Sequence, residues 1–367
     1  MPPEENVSYT PQKEVYNILF QLLDQAITEL HQENLPAVSQ YDLGDNDKCY
    51  GGDVDKWRRF ANTLRLRLAI RVSYANPTLA EAQAKKSMEN MFGFIESKAE
   101  RAELSHNSLE YHHPLHEIAY NFNSGDCRPG ATIVAYLNGL NDSRISSYFT
   151  AADDGEYHGV RIGITTSNMS NYQGNKISNL NINRASTPVV WMTAAESFFL
   201  RAEGALRGWD MGGTAKSFYE QGVRMSFEEN NAAGVDDYLA DHTSTPGAFA
   251  DNVGSDNYTF SSRVTPAWDD NAGFEAQLER IITQKWIAIY PDGPEGWSEY
   301  RRTGYPEVIP VVRNSSNGTI DTQLQVRRLP YTRDEKINNA SGVASGISAL
   351  GGQDTGGTKL WWDKKSR

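Results

Sequence analysis

Residues 187–230 read TPVVWMTAAESFFLRAEGALRGWDMGGTAKSFYEQGVRMSFEEN, and this stretch decides the fold. Trp191, Ala194, Ala195, Phe198, Ala202, Ala205 and Trp209 recur at helical spacing and predict one continuous buried face. Gly212 and Gly213 break the pattern. Thr214 then serves as an N-cap for a second helix, whose Ala215, Phe218, Tyr219, Gly222, Val223 and Phe227 face back toward the first. Small residues between the large ones let the two helices approach closely, so residues 191–229 form a helical hairpin.

Working outward, residues 53–91 repeat the arrangement. Trp57, Phe60, Ala61, Leu64, Leu68 and Val72 point inward on one helix, Asn76-Pro77 ends it, and Leu79, Ala82, Ala84, Met88 and Met91 supply its mate. Alternating large and small residues over about 34 positions is the tetratricopeptide style of hairpin, a unit that serves as scaffold or binding surface. Upstream, Thr10 caps a further helix whose apolar face is Val15, Ile18, Leu19, Leu22, Ala26, Ile27 and Leu30. The fold class is therefore mainly α: tetratricopeptide-like hairpins covered by long irregular loops and a few short strands. We read residues 1–367 as one domain, with loop-rich excursions at 105–186 and 234–265 and a C-terminal helix and irregular tail at 273–367. The second excursion is expected to pack on the surface. Short strands are expected near 157–164, 308–313 and 323–328.

The hairpin resembles the hallmark helix pair of the SusD/RagB family of nutrient-binding outer-membrane lipoproteins. Three further stretches carry the same resemblance: GDVDKWRRFANTLRLRLAIRVS at 52–73, IITQKWIAIYPDGPEGWSEYRRTGYP at 281–306, and a tail with RRLPYTRDE, GGQDTGG and KLWWDKK between 327 and 365. The resemblance implies a SusD-like fold, a surface location, a glycan ligand and a SusC-like TonB-dependent transporter as partner. It also implies a signal peptide, a lipidated cysteine and more helices ahead of Tyr9. Residues 1–5, MPPEE, carry none of these, so the chain is read as an N-terminally truncated member.

Composition narrows the alternatives. A net charge of -12 opposes a polyanionic partner, because nucleic-acid binding needs a basic face. No window reaches the ~20 consecutive apolar residues of a membrane helix, so membrane association would come through a lipid anchor. Two cysteines, Cys49 and Cys127, make neither a zinc motif nor a disulfide framework. Asp45, Asp47, Asp53 and Asp55 fail the calcium-loop template, since Cys49 takes a ligand position and Tyr50 replaces the required glycine. No cofactor motif stands after a strand, and no metal is expected. Arg58, Arg59, Arg65, Arg67 and Arg71 crowd one helix and read as partners for carboxylates on neighbouring helices. KLWWDKK and Trp297 read as scaffold.

The excursion at 105–186 carries the candidate site. Long loops inside a compact domain are usually functional, and this one is rich in Asn, Gly, Ser, Tyr and His. Sugars present an apolar face that stacks on aromatic rings and hydroxyls that seek amides and charges. YNFNSGDCR at 120–128 supplies that mixture, and the candidate ligand-binding residues are Tyr111, His112, His113, Tyr120, Asn121, Asn123, Arg128 and Tyr172. The competing role for Tyr120 and Phe122 is to anchor the loop to the helices. His112, His113 and His116 are poor metal ligands, because Pro114 interrupts a helix that would align them.

No catalytic residue is expected, and a surface glycan-binding subunit is the leading function. The rivals are a glycoside hydrolase, which needs two carboxyls facing across a sugar, and a helical-repeat adaptor with an apolar groove. Within the binding class, a peptide or another nutrient is the alternative to glycan.

Overall fold

The computed structural model describes residues 7–30, 46–104, 113–122, 127–164, 170–184, 186–251, 254 and 256–366. Among them lie thirteen helices: α1 Gln12–Leu30, α2 Val54–Arg71, α3 Pro77–Glu89, α4 Pro114–His116, α5 Ala131–Gly139, α6 Ile145–Tyr148, α7 Ala194–Leu206, α8 Ala215–Glu229, α9 Val235–Leu239, α10 Phe274–Ala288, α11 Gly293–Thr303, α12 Arg333–Asn338 and α13 Ala340–Leu350. Two antiparallel strand pairs complete the inventory, β1 Ala102–Leu104 with β4 Val189–Met192 and β2 Phe149–Thr150 with β3 Asn179–Leu180.

Local chemistry explains the hairpin boundaries. Asp53 caps α2 by accepting from the Asp55 and Lys56 amides, and Asn76 caps α3 ahead of Pro77. Thr193 and Thr214 cap α7 and α8 through the Glu196 and Ser217 amides. Gly212, at φ +77°, makes the turn between them. Phe199, Phe218, Tyr219, Val223 and Phe227 are buried where α7 meets α8. A Cβ on Gly222 would stand 2.9 Å from the Phe199 ring, so glycine there sets how closely the helices approach. α10 packs against both helices, and α2 packs against α7.

A buried ion network joins these helices. The Lys285 ammonium of α10 lies 2.9 Å from Glu295, 3.3 Å from Glu196 and 3.5 Å from Glu299. Arg71 meets Glu295 at 2.7 Å and Arg67 meets Glu196 at 2.7 Å. All five arginines of α2 find carboxylates, the others being Asp55 for Arg58, Glu100 for Arg59 and Asp24 for Arg65. The tail docks back on the helices: Trp362 is buried with Tyr16, Phe20, Val72 and Ala80.

Several expectations need correction. Trp191 lies on β4 rather than α7 and is 44% exposed, because the helix starts only after the Thr193 cap. On α1 the buried residues are Tyr16 and Phe20, while Val15, Ile18 and Leu22 face solvent. The excursion at 234–265 contributes Tyr238, Phe249 and Phe260 to the main core instead of lying on the surface. Segments 308–313 and 323–328 contain no strand, and 157–164 contributes a single bridge, Val160 to Gly130. Pro114 does not break a helix but starts one, at a position where its missing N–H costs nothing.

Candidate functional site

The candidate site is built around residues 113–122. His113 Nδ1 accepts from the Leu115 amide at 3.2 Å, and Pro114 opens the short helix α4. The chain then widens into a π-helical turn, Glu117–Asn121, a geometry often found at functional sites. This turn lays the Tyr120 ring on His116, with centroids 4.7 Å apart and planes 28° from parallel. The Tyr120 hydroxyl donates to the Leu180 carbonyl, and Asn179 Nδ2 donates to the Ala119 carbonyl at 3.2 Å. Asn121 Nδ2 donates to Glu117 at 2.6 Å, and Arg184 meets the same carboxylate at 3.2 Å. Thus β3 pins the turn while its rings stay open: Tyr120 is 39% exposed and Phe122 61%. Tyr120 anchors the segment through its hydroxyl and still presents its ring. Burial pushes that hydroxyl above its ordinary pKa, with Arg128 pulling the other way, so it remains a neutral donor.

Beyond Leu180 the surface continues into a groove of about 310 Å³, lined by Asn181, Ile182, Tyr148, Tyr290, Asn230 and Asn231, with Lys98 and Arg101 along one side. The Tyr148 and Tyr290 rings lie 4.8 Å apart. Tyr148 donates to the Ile287 carbonyl at 2.9 Å, and Asn230 Nδ2 donates to Tyr148 at 3.2 Å and to the Ser226 carbonyl at 2.8 Å. These bonds fix the amides and rings before any ligand arrives. Glu229 also lines the groove. Its carboxylate accepts from the Ala194 amide at 2.9 Å and the Ala195 amide at 3.4 Å, at the start of α7. Burial pushes it up to about 7, outweighing those amides, Arg101 and Lys98.

Tyr172 lies elsewhere. It is 4% exposed, and its hydroxyl donates to the Asp251 carboxylate at 2.8–2.9 Å, in a separate cleft of about 220 Å³. The structure therefore places His113, Tyr120 and Asn121 on one segment with Arg128 within electrostatic reach of Tyr120, and it sets Tyr172 apart. Tyr111, His112 and Asn123 fall outside the described residues. His116 and Phe122 were legible as neighbours of Tyr120. The groove residues Tyr290, Asn230 and Asn181 come from three distant segments, and no local pattern marks them.

Among the described residues no group of three His, Cys, Asp or Glu side chains could hold a metal ion. Asp47 in the acidic loop is taken up by the Cys49, Tyr50 and Gly52 amides and the Trp57 indole.

The family model described as SusD-like, SusD and RagB outer membrane lipoprotein, matches residues 3–363, and the chain belongs to this family. Solved structures agree. A chitin-binding SusD homologue from Flavobacterium johnsoniae superposes with a TM-score of 0.91 at 40% identity, covering 100% of this chain and 75% of that one. A SusD homologue from Bacteroides uniformis gives 0.90 at 41%, covering 98% and 74%. A SusD-like protein from Bacteroides thetaiotaomicron gives 0.90 at 40%, covering 100% and 76%. None of the curated proteins matches the chain. Members of the family are outer-membrane lipoproteins. No helix among the described residues is long and apolar enough to cross a membrane.

Proposed function

We propose that this protein captures an oligosaccharide on the Tyr120 face and the adjoining groove, and passes it unchanged to a SusC-like TonB-dependent transporter. The observation that carries the reading is the exposed Tyr120 ring, backed by His116 and flanked by Phe122, beside a groove of pre-positioned amides and hydroxyls. A pyranose face stacks on such rings while its hydroxyls exchange hydrogen bonds with Asn181, Asn230 and Asn231. The groove volume suits a segment of chain rather than one atom cluster, and its walls are held by internal bonds, which lowers the cost of ordering on binding. The chitin-binding description of the Flavobacterium johnsoniae homologue supports a glycan as the ligand class.

Bond chemistry is disfavoured by the state of the nearby carboxylates. Glu196 is committed to Arg67 and Lys285, and Glu229 to the α7 amides. A glycosidase needs two carboxyls about 5–9.5 Å apart across the sugar, one free to donate a proton. A glycan array probed with the protein, followed by reducing-end assays on every hit, tests the proposal. Binding without release of reducing ends is expected. Reducing ends released from a hit would establish a hydrolase, and an array without hits would point to a peptide or another nutrient.

A further inference from the structure

We infer that the Tyr172 cleft is a second sugar site, which takes a single neutral or amino-bearing pyranose ring and rejects an anionic one. The ligand class rests on the glycan-capture reading above. At about 220 Å³ the cleft is smaller than the roughly 300–1,000 Å³ of drug-sized sites, so it admits one ring rather than a length of chain.

Three segments remote in sequence meet to form it: the second half of α5, the turn at 156–159 and the stretch 247–251. Their backbones lock together. The Gly247 amide donates to the Ala135 carbonyl at 3.1 Å, and a Cβ on Gly139 would fall 1.9 Å from the Gly247 nitrogen. Asn138 Nδ2 donates to the Tyr157 carbonyl at 3.1 Å, and the Ser178 amide to the His158 carbonyl at 3.2 Å. The cleft thus holds its shape without a ligand.

Its walls offer an aromatic surface from Tyr157 and Phe249 and polar groups from Asn138 and Glu156. Deeper in, the Tyr172 hydroxyl is fixed to Asp251. Burial and that bond push it up to about 12, so it stays protonated. Charge sets the selectivity. Glu156 and Asp251 line the cleft, His158 faces Asp154 at 2.7 Å, and no Lys or Arg is among the described lining residues. A carboxylate or sulfate entering here meets like charge, whereas hydroxyl and ammonium donors meet acceptors. The groove beside Tyr120, with Lys98 and Arg101, has the opposite balance.

Amide NMR titrations of the protein with glucose, glucosamine and glucuronate as separate probes test the inference. Glucose and glucosamine should shift the amides of 156–159 and 247–250, with glucuronate weaker by about tenfold or more. Ala248→Arg, at an exposed position on the cleft wall, should abolish these shifts, and Tyr120→Ala should leave them unchanged. No shift with any of the three sugars, equal binding of glucuronate, or shifts that survive Ala248→Arg would overturn it. A silent cleft in a protein whose array binding is weakened by Tyr120→Ala removes this site and leaves the proposed face standing. A responsive cleft with array binding indifferent to Tyr120→Ala removes the face and leaves this site.

Discussion

The Arg302 guanidinium of α11 meets the Glu203 carboxylate of α7 through two 2.6 Å hydrogen bonds, with both side chains sealed from water. Arg302 also reaches Glu299, and Glu203 also holds Arg207 at 2.8 Å. Burial drives the Glu203 carboxyl upward, but Arg302 and Arg207 together overcome it and hold the group at about 2. Its charge is therefore built into the hairpin's attachment to α11.

Glu203→Ala leaves Arg302 and Arg207 without that partner in the interior and should cost about 3–5 kcal/mol in a denaturant titration. The pH dependence follows from the depressed value. The ordinary carboxyl near 4.5 applies to the unfolded chain, so the stabilisation is complete above that pH and is lost as pH falls toward about 2. Glu203→Gln should flatten this acid limb. A mutant as acid-sensitive as the parent would assign the limb to other groups.

Glu229 should behave in the opposite sense. Its folded value, raised to about 7 from 4.5, means the folded state holds the proton more tightly. Its contribution to stability is then present below pH 4.5 and declines as pH rises to about 7, by roughly 3 kcal/mol in all. Glu229→Gln keeps an acceptor for the Ala194 and Ala195 amides and should remove this decline. Melting temperatures measured at pH 4.5 and pH 8 check it.

Gly222→Ala tests the close approach inside the hallmark hairpin. Alanine favours helix by about 1 kcal/mol over glycine, yet its Cβ would meet the buried Phe199 ring at 2.9 Å. Overpacking should prevail, with a net loss of about 1–3 kcal/mol on chemical denaturation. A stabilised mutant would show that the ring can move aside.

Trp362→Ala probes the tail. The ring is 3% exposed, packs with Tyr16 and Phe20, and lies under the Arg71 and Arg301 guanidinium groups at 5.3 and 4.8 Å. Truncation should cost about 3–5 kcal/mol without changing glycan affinity. Loss of binding at unchanged stability would make it a sugar platform.

Both hairpins were legible in the sequence because helical periodicity and caps are local: Thr193, Thr214, Asp53 and Asn76 all act within three residues of themselves. What depends on tertiary partners was not legible. The apolar residues Val15, Ile18 and Leu22 mark a face on α1, but the elements next to it bury Tyr16 and Phe20. The arginines of α2 read correctly as carboxylate partners, yet their spacing could not show that Arg71 would be buried against residues more than 220 positions away. At the candidate site, Tyr120 and Asn121 stood out by their residue mixture. Tyr172 shared that mixture and lies in another cleft, because ring exposure is decided by what packs over it, here Asp251 and its loop.

The central claim is that the Tyr120 ring is a sugar-stacking surface, and isothermal titration of Tyr120→Ala with a glycan found on the array tests it most directly. The account predicts a melting transition close to that of the parent, since only one hydroxyl contact to Leu180 is lost, and binding weaker by about 1–3 kcal/mol, the scale of an aromatic anchor. Unchanged affinity in a folded Tyr120→Ala protein would contradict it.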